Sequence, residues 1–294
     1  MQLSTGSEQA GDMTHPGQLL KKEKLYAGKE MGQNFLSDPG TAQMIVDRAG
    51  ISKESIVLEI GPGLGALTIP LARRAARVIA VELDRRLVPL LNEELEQEQI
   101  GNVTVINQNI MKTDFKEIAG DDRLVVFGNL PYNISSQILF RLVKERAVIE
   151  KAFLMFQREL ATRIIASPGG RDYSRLSAVV QYAADVGFVA DINPGSFFPK
   201  PEVHSTVLRF DFLATADMSP PMEDLLFDVI KSAFSKRRKS LKNSMAGGEL
   251  GLEKPVVIEA LTQAAIEPAR RAETLSVAEF KALAMAVWQI RQET

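Results

Sequence analysis

The most constraining stretch is Val57-Leu58-Glu59-Ile60-Gly61-Pro62-Gly63-Leu64-Gly65-Ala66-Leu67-Thr68. Residues of strand character run straight into glycines at alternate positions, and a helical pattern follows. Glycine is needed where backbone must turn tightly or touch a ligand, because a Cβ would block either. Gly61, Gly63 and Ala66 satisfy G-x-G-x-x-G/A, the pattern in which a helix N-terminus cradles a pyrophosphate. Alone, the stretch points to a nucleoside cofactor on an α/β sheet without saying which, and a mere tight turn can carry the same letters. Glu82 shifts the balance. It lies 21 residues past Gly61, at the end of a second strand pattern, where a carboxylate accepts both hydroxyls of a ribose.

Bulk properties exclude several classes. No apolar run approaches the ~18–20 residues that span a bilayer, and the N-terminus carries no signal-peptide core. Cysteine is absent, which removes disulfides and thiolate metal sites and fits a reducing compartment. Only His15 and His204 are available as imidazoles, so no histidine metal centre is expected. With a net charge of −2, any nucleic-acid binding must come from a local patch.

In chain order, residues 1–28 mix Gly, Ser, Thr, Gln and Lys with little periodicity and read as a mobile tail whose end is basic through Lys21, Lys22, Lys24 and Lys29. Gly32-Gln33-Asn34-Phe35-Leu36 follows, a short stretch suited to cover the glycine loop. Asp38 as N-cap and Pro39 as first helical residue then start a helix whose apolar face is Ala42, Ile45, Val46 and Ala49, ending at Gly50. Strands are predicted at Ile56–Ile60, Val78–Leu83, Val103–Asn107, Leu124–Gly128 and Ala152–Phe156, with helices at Ala66–Ala75, Leu87–Glu98 and Ile134–Arg146 between them. Short Val/Ile-rich strands alternating with helices imply a parallel, doubly wound, Rossmann-like sheet. Ligands on such sheets sit beyond the strands' carboxyl ends, where Gly61, Glu82, Asn109 and Asn129 all fall. A helix around Leu176–Ala184 and strands at Phe188–Ile192 and Thr206–Phe212 complete a domain of residues 29–213. Ala214–Pro221 reads as a linker, and the rest, within 214–294, as a small all-helical domain with Trp288 in its core. His204 is expected at the surface or in packing.

Gly128-Asn129-Leu130-Pro131-Tyr132-Asn133 decides between cofactors. An exocyclic amine on a base is a poor nucleophile because its lone pair is delocalised into the ring. The side-chain oxygen of Asn129, with the Leu130 carbonyl held by Pro131, can accept both N–H bonds and free that lone pair. Tyr132 offers a face on which the base stacks. A dehydrogenase would have no use for this arrangement.

These residues resemble the ribosomal RNA adenine dimethyltransferases of the KsgA/RsmA type. The resemblance runs from about Lys29 to the C-terminus and rests on Gln33-Asn34-Phe35-Leu36, Glu59-Ile60-Gly61-Pro62-Gly63, Val81-Glu82, Asn129-Leu130-Pro131-Tyr132-Asn133 and Phe197-x-Pro199-x-Pro201. It implies S-adenosylmethionine (SAM) as methyl donor, held by Asn34, Leu36, Gly61, Glu82, Asn109 and Asn129, no metal, and Phe197 with Tyr132 on the target adenine. Where the family usually has an aspartate after the third strand, this chain has Asn109, whose neutral oxygen accepts a hydrogen bond roughly half as strong.

Within that family, Ser235-Lys236-Arg237-Arg238-Lys239-Ser240-Leu241-Lys242-Asn243-Ser244 and Arg271-Ala272-Glu273-x-Leu275-Ser276-Val277 resemble the branch acting on the small ribosomal subunit. Lys236, Arg237, Arg238, Lys239 and Lys242 place five cations in seven residues with no acid among them. Such a run neutralises phosphates without reading sequence. The reading is dimethylation of N6 on two adjacent adenosines near the 3′ end of small-subunit rRNA, by a cytoplasmic monomer whose partner is the immature subunit. Two rivals are a nicotinamide dehydrogenase and a non-catalytic RNA-binding protein.

Overall fold

A computed structural model describes residues 14–22, 24–25, 33–213, 218–236 and 238–293. Among the described residues, nine strands form two sheets. They are β1 (Phe35–Leu36), β2 (Ile56–Ile60), β3 (Arg77–Glu82), β4 (Val103–Asn107), β5 (Leu124–Asn129), β6 (Ile149–Gln157), β7 (Ala184–Ile192), β8 (Phe197–Phe198) and β9 (Ser205–Phe212). The main sheet has seven strands in the order β4-β3-β2-β5-β6-β9-β7. β2 pairs in parallel with both β3 and β5, and β3 with β4. The chain therefore winds outward through β3 and β4, then returns to lay β5 on the other side of β2. That reversal opens a crevice at the carboxyl ends of β2 and β5, the usual ligand position in open α/β sheets.

β2 is buried at all five positions and β5 at all but its last residue, as strands covered on both faces must be. The helix Pro39–Ala49 supplies one cover, with Ala42, Ile45, Val46 and Ala49 buried as the pattern predicts. Asp38 caps it by accepting from the backbone N–H of Gly40 and Thr41, and Gly50 closes it at φ 59°. Such a cap contributes about 1 kcal/mol.

The chain falls into two compact units. The first contains residues 1–133, 153–155 and 189–207, and the second residues 134–152, 156–188 and 208–294. These interleave along the sequence, whereas a single boundary at 213/214 was expected. In the second unit the helices Ser135–Lys144, Arg158–Ile165 and Arg175–Ala183 therefore group with the C-terminal helices Pro220–Ala233, Lys254–Gln263 and Val277–Glu293. A largely enclosed ion pair of Arg146 with Glu223, which also accepts from the Tyr182 hydroxyl at 2.8 Å, ties all three segments of this unit together.

Three local expectations are corrected. Pro16–Lys22, inside the expected tail, is a helix whose Leu19 and Leu20 are buried. Isolated, seven residues could not hold a helix; tertiary packing supplies the stability. The remaining tail residues, 1–13, 23 and 26–28, lie outside the described residues, as do Lys29, Gly32 and 214–217 of the expected linker. Trp288 is half-buried rather than core, while Phe280, Leu283 and Val287 of the same helix fill the interior. Strands β6 and β7 begin earlier than predicted, at Ile149 and Ala184. His204 is exposed.

Candidate active site

The glycine loop, the ends of β3 and β5, and the strands β1 and β8 all belong to the first unit. After β2, Gly61 and Gly63 turn the chain with φ of 68° and 58°, a conformation that costs an L side chain dearly. A Cβ on Gly61 would meet no atom within 4 Å, so the space above it is open to a ligand. One on Gly63 would lie 3.0 Å from the ring of Phe35, so that ring rests directly on the loop.

Glu82 ends β3, almost wholly buried. Its Oε2 accepts from the Gly63 N–H at 3.1 Å and its Oε1 from the Asp84 N–H at 2.7 Å. Burial raises its pKa, and those two backbone donors oppose the rise. Each carboxylate oxygen keeps a further lone pair, so a ribose diol can still be accepted. Asp84 is held at about 2, first by the Arg86 guanidinium and also by Gln33, whose Nε2 donates to it at 3.1 Å. Gln33 is thereby tied to the end of β3.

Asn129 ends β5. Its Nδ2 donates to the Asn34 carbonyl at 2.8 Å, which leaves Oδ1 as the acceptor side of the amide. Gly128 permits the turn, since a Cβ there would come within 2.7 Å of the Leu130 side chain. Leu130 is buried, while Pro131 and Tyr132 are half-buried. The Tyr132 hydroxyl lies 3.4 Å from Ser205 Oγ.

β1 and β8 pair antiparallel, setting Phe35 opposite Phe198 and Leu36 opposite Phe197. Residues 33–36 thus touch the ends of β3 and β5, the glycine loop and the Phe-x-Pro-x-Pro segment. Four motifs scattered through the sequence meet here.

A model of the family described as Ribosomal RNA adenine dimethylase matches residues 26–283. The chain belongs to that family. A relative from Desulforapulum autotrophicum, called Ribosomal RNA small subunit methyltransferase A, is 56% identical over 95% of this chain and 98% of its own. Among solved structures, a dimethyladenosine transferase from Plasmodium falciparum matches with TM-score 0.75 at 27% identity, over 88% of this chain and 98% of its own. The 23S rRNA methyltransferase ErmE matches with TM-score 0.64 at 25% identity, over 87% and 100%. This chain is accordingly a methyltransferase with a Rossmann-like sheet and SAM as donor. The open space over Gly61 and the half-satisfied carboxylate of Glu82 suit the glycosidic part of that donor.

As a member of this family the chain shows three features that its sequence did not announce. Phe197 is only 4% exposed and packs in the core with Leu36 and Ile192, whereas Phe198 beside it is 36% exposed. The exposed ring of the pair is therefore not the one the resemblance assigns. Leu83 and Met111 are exposed large apolar residues, at 56% and 39%, next to Glu82 and two residues beyond Asn109. Asn109 itself is exposed and caps a short turn, its Oδ1 accepting from the Met111 N–H at 2.9 Å.

The basic run lies in the second unit. Lys236, Arg238 and Lys239 lie in the segment between the helices Pro220–Ala233 and Leu241–Ser244, and Lys242 lies in the second of these helices. Lys236, Arg238 and Lys239 are exposed and Lys242 is half-buried; Arg237 lies outside the described residues. Backbone bonds from Leu241 to the Arg270 carbonyl (2.8 Å) and from Lys242 to the Pro268 carbonyl (3.4 Å) hold this run against the next loop. That loop carries Arg271, whose side chain is 55% exposed.

Proposed function

We propose that this chain transfers methyl groups from SAM to N6 of two adjacent adenosines in a loop near the 3′ end of small-subunit rRNA, during ribosome biogenesis. The observation that carries this reading is the orientation of Asn129. With Nδ2 committed to the Asn34 carbonyl, Oδ1 is the atom left to accept from an exocyclic amine. The name of the Desulforapulum relative supports the small subunit as substrate.

When bound, the donor supplies an electrophilic methyl group on a positively charged sulfur. Asn34, Leu36, Gly61, Glu82, Asn109 and Asn129 would hold it, Glu82 by accepting from the ribose, with the exposed Leu83 and Met111 available to its apolar surface. Asn129 Oδ1 and the Leu130 carbonyl accept the N6–H bonds of the target, which localises the nitrogen lone pair. The transfer would form the N6–methyl bond as the methyl–sulfur bond breaks, with the thioether leaving neutral and N6 losing one proton to solvent. The residues act by positioning and polarisation, with no metal and no covalent enzyme intermediate. After one transfer a single N–H remains, and one acceptor still orients it for the second.

The target adenine must leave its stack, which an RNA loop permits at low cost. Tyr132 and the Phe197–Phe198 pair receive it. Lys236, Arg237, Arg238, Lys239 and Lys242, with Arg271, contact phosphates, so the C-terminal stretch 214–294 supplies the RNA contacts while the first compact unit carries the chemistry. The enzyme works as a monomer in the cytoplasm. Incubation of unmethylated small subunits with labelled SAM, followed by mass spectrometry of the rRNA, tests this. Dimethyladenosine at two neighbouring positions is expected. RNA binding without transfer would replace the reading with a non-catalytic one, and label confined to large-subunit RNA would move the substrate.

A further inference from the structure

The helix Pro16–Lys22 precedes residue 26, where the family match begins. Leu19 and Leu20 are 5% and 4% exposed and form one apolar cluster with Phe35, Leu64, Leu87 and Leu90. Each partner belongs to a segment of the donor site. Phe35 lies between Asn34 and Leu36 and rests on Gly63. Leu64 is part of the glycine loop. Leu87 and Leu90 begin the helix Leu87–Gln97, which follows Glu82 and Asp84.

The start of the same helix reaches the other side of the site. A Cβ on Gly17 would lie 3.1 Å from the Phe198 ring, and His15 meets that ring edge-on with centroids 5.5 Å apart. Phe198 is the strand partner of Phe35. One short helix therefore backs both members of the Phe35–Phe198 pair. The Lys22–Glu93 ion pair is solvent-exposed on both sides and adds little.

We propose that Pro16–Lys22 is a strap that pre-organises the SAM site, with Leu19 and Leu20 as its positioning residues. β1 is two residues long and cannot hold its own conformation against solvent. Its register over the glycine loop depends on what packs behind Phe35. Without the two leucines, residues 33–36 spend part of their time away from the loop, and apparent donor affinity drops by the fraction of time they are displaced. Chemistry in the assembled complex is unaffected, because neither leucine touches the reacting atoms.

This proposal rests on the reading that SAM binds over Gly61 and Glu82. The test uses the full-length chain with Leu19→Ser and Leu20→Ser combined, titrated with SAM by calorimetry and assayed for methyl transfer to unmethylated small subunits. A site competent a tenth of the time gives about a tenfold rise in SAM Kd and KM, with kcat at saturating SAM unchanged. Leu19→Met with Leu20→Met restores the parental values, and Lys22→Ala matches the parent. Should the serine variant fail to fold, Leu19→Ala alone is expected to raise Kd several-fold. A folded variant with parental SAM Kd, or one that loses kcat while keeping KM, would overturn the strap. A parental chain that binds no SAM in the same titration would instead overturn the cofactor reading beneath it.

Discussion

The side-chain amide of Asn129 donates to the backbone carbonyl of Asn34 across a gap of 2.8 Å. This single bond joins the residue read as polarising the target to the segment that covers the donor. It also fixes which end of the amide faces outward. Asn129→Ala removes the outward oxygen, which matters most as N6 acquires positive charge. The loss should fall chiefly on the single-turnover transfer rate at saturating SAM, with a smaller loss of SAM affinity through the freed Asn34 carbonyl. A variant that transfers at the parental rate would refute this assignment.

Donor affinity should move in opposite directions at two strand ends. Glu82→Ala deletes the ribose acceptor and the carboxylate that holds the Gly63 N–H, and should weaken SAM by about 1.5–3 kcal/mol or more. Asn109→Asp restores a charge where the family usually has one. It keeps the cap to Met111 and should tighten SAM. Calorimetric titration of both variants is sufficient; equal affinity in parent and Asn109→Asp would mean that Oδ1 is spent on the cap alone.

The two adjacent phenylalanines should separate by their burial. Phe198→Ala removes an exposed ring, so stacking of about 1–3 kcal/mol is lost from RNA binding with little change in unfolding free energy. Phe197→Ala empties a core position and should cost about 3–5 kcal/mol of stability as well. Urea unfolding beside RNA binding distinguishes them. If only Phe197→Ala weakens RNA, the buried ring is the one uncovered for the base.

Replacing Lys236, Arg237 and Arg238 by alanine should weaken rRNA binding and reduce its salt dependence by roughly 0.7–0.9 log units per lost phosphate contact. SAM binding should be untouched. An unaltered salt slope would reduce the run to solvated side chains.

Glu59 predicts a pH dependence. It lies on β2, fully enclosed, and burial pushes its carboxyl up to about 8. The Thr68 hydroxyl pulls the other way, yet neither it nor Glu59 Oε2 finds a hydrogen bond of ordinary geometry. The folded chain therefore holds this proton more tightly than the unfolded one, whose carboxyl titrates near 4.5. The stabilisation is complete below about pH 4.5 and is lost as pH rises towards 8, by up to about 1.4 kcal/mol per pH unit. Glu59→Gln should flatten that slope and match the parent near pH 4. Urea titrations at pH 5 and pH 8 measure it. A parental stability that rises steadily over this interval would show Glu59 to be ionised.

Much of the donor site is written locally. The glycine loop, Glu82 and Asn129 sit at the ends of buried strands, and both the strands and the turns follow from side-chain pattern and backbone sterics over a few residues. Asp38 and Gly50 announce their helix in the same way. Other features depend on distant partners. The two-residue strand Phe35–Leu36 has no periodicity to detect and exists because Phe197–Phe198 pairs with it. The helix Pro16–Lys22 is too short to form alone, and packing in the apolar cluster around Phe35 and against Phe198 stabilises it. Whether Phe197 or Phe198 shows its ring is decided by which of them the core encloses. The chain by itself determines which residues turn, pair and titrate; the packing of remote segments determines which of those residues a ligand can reach.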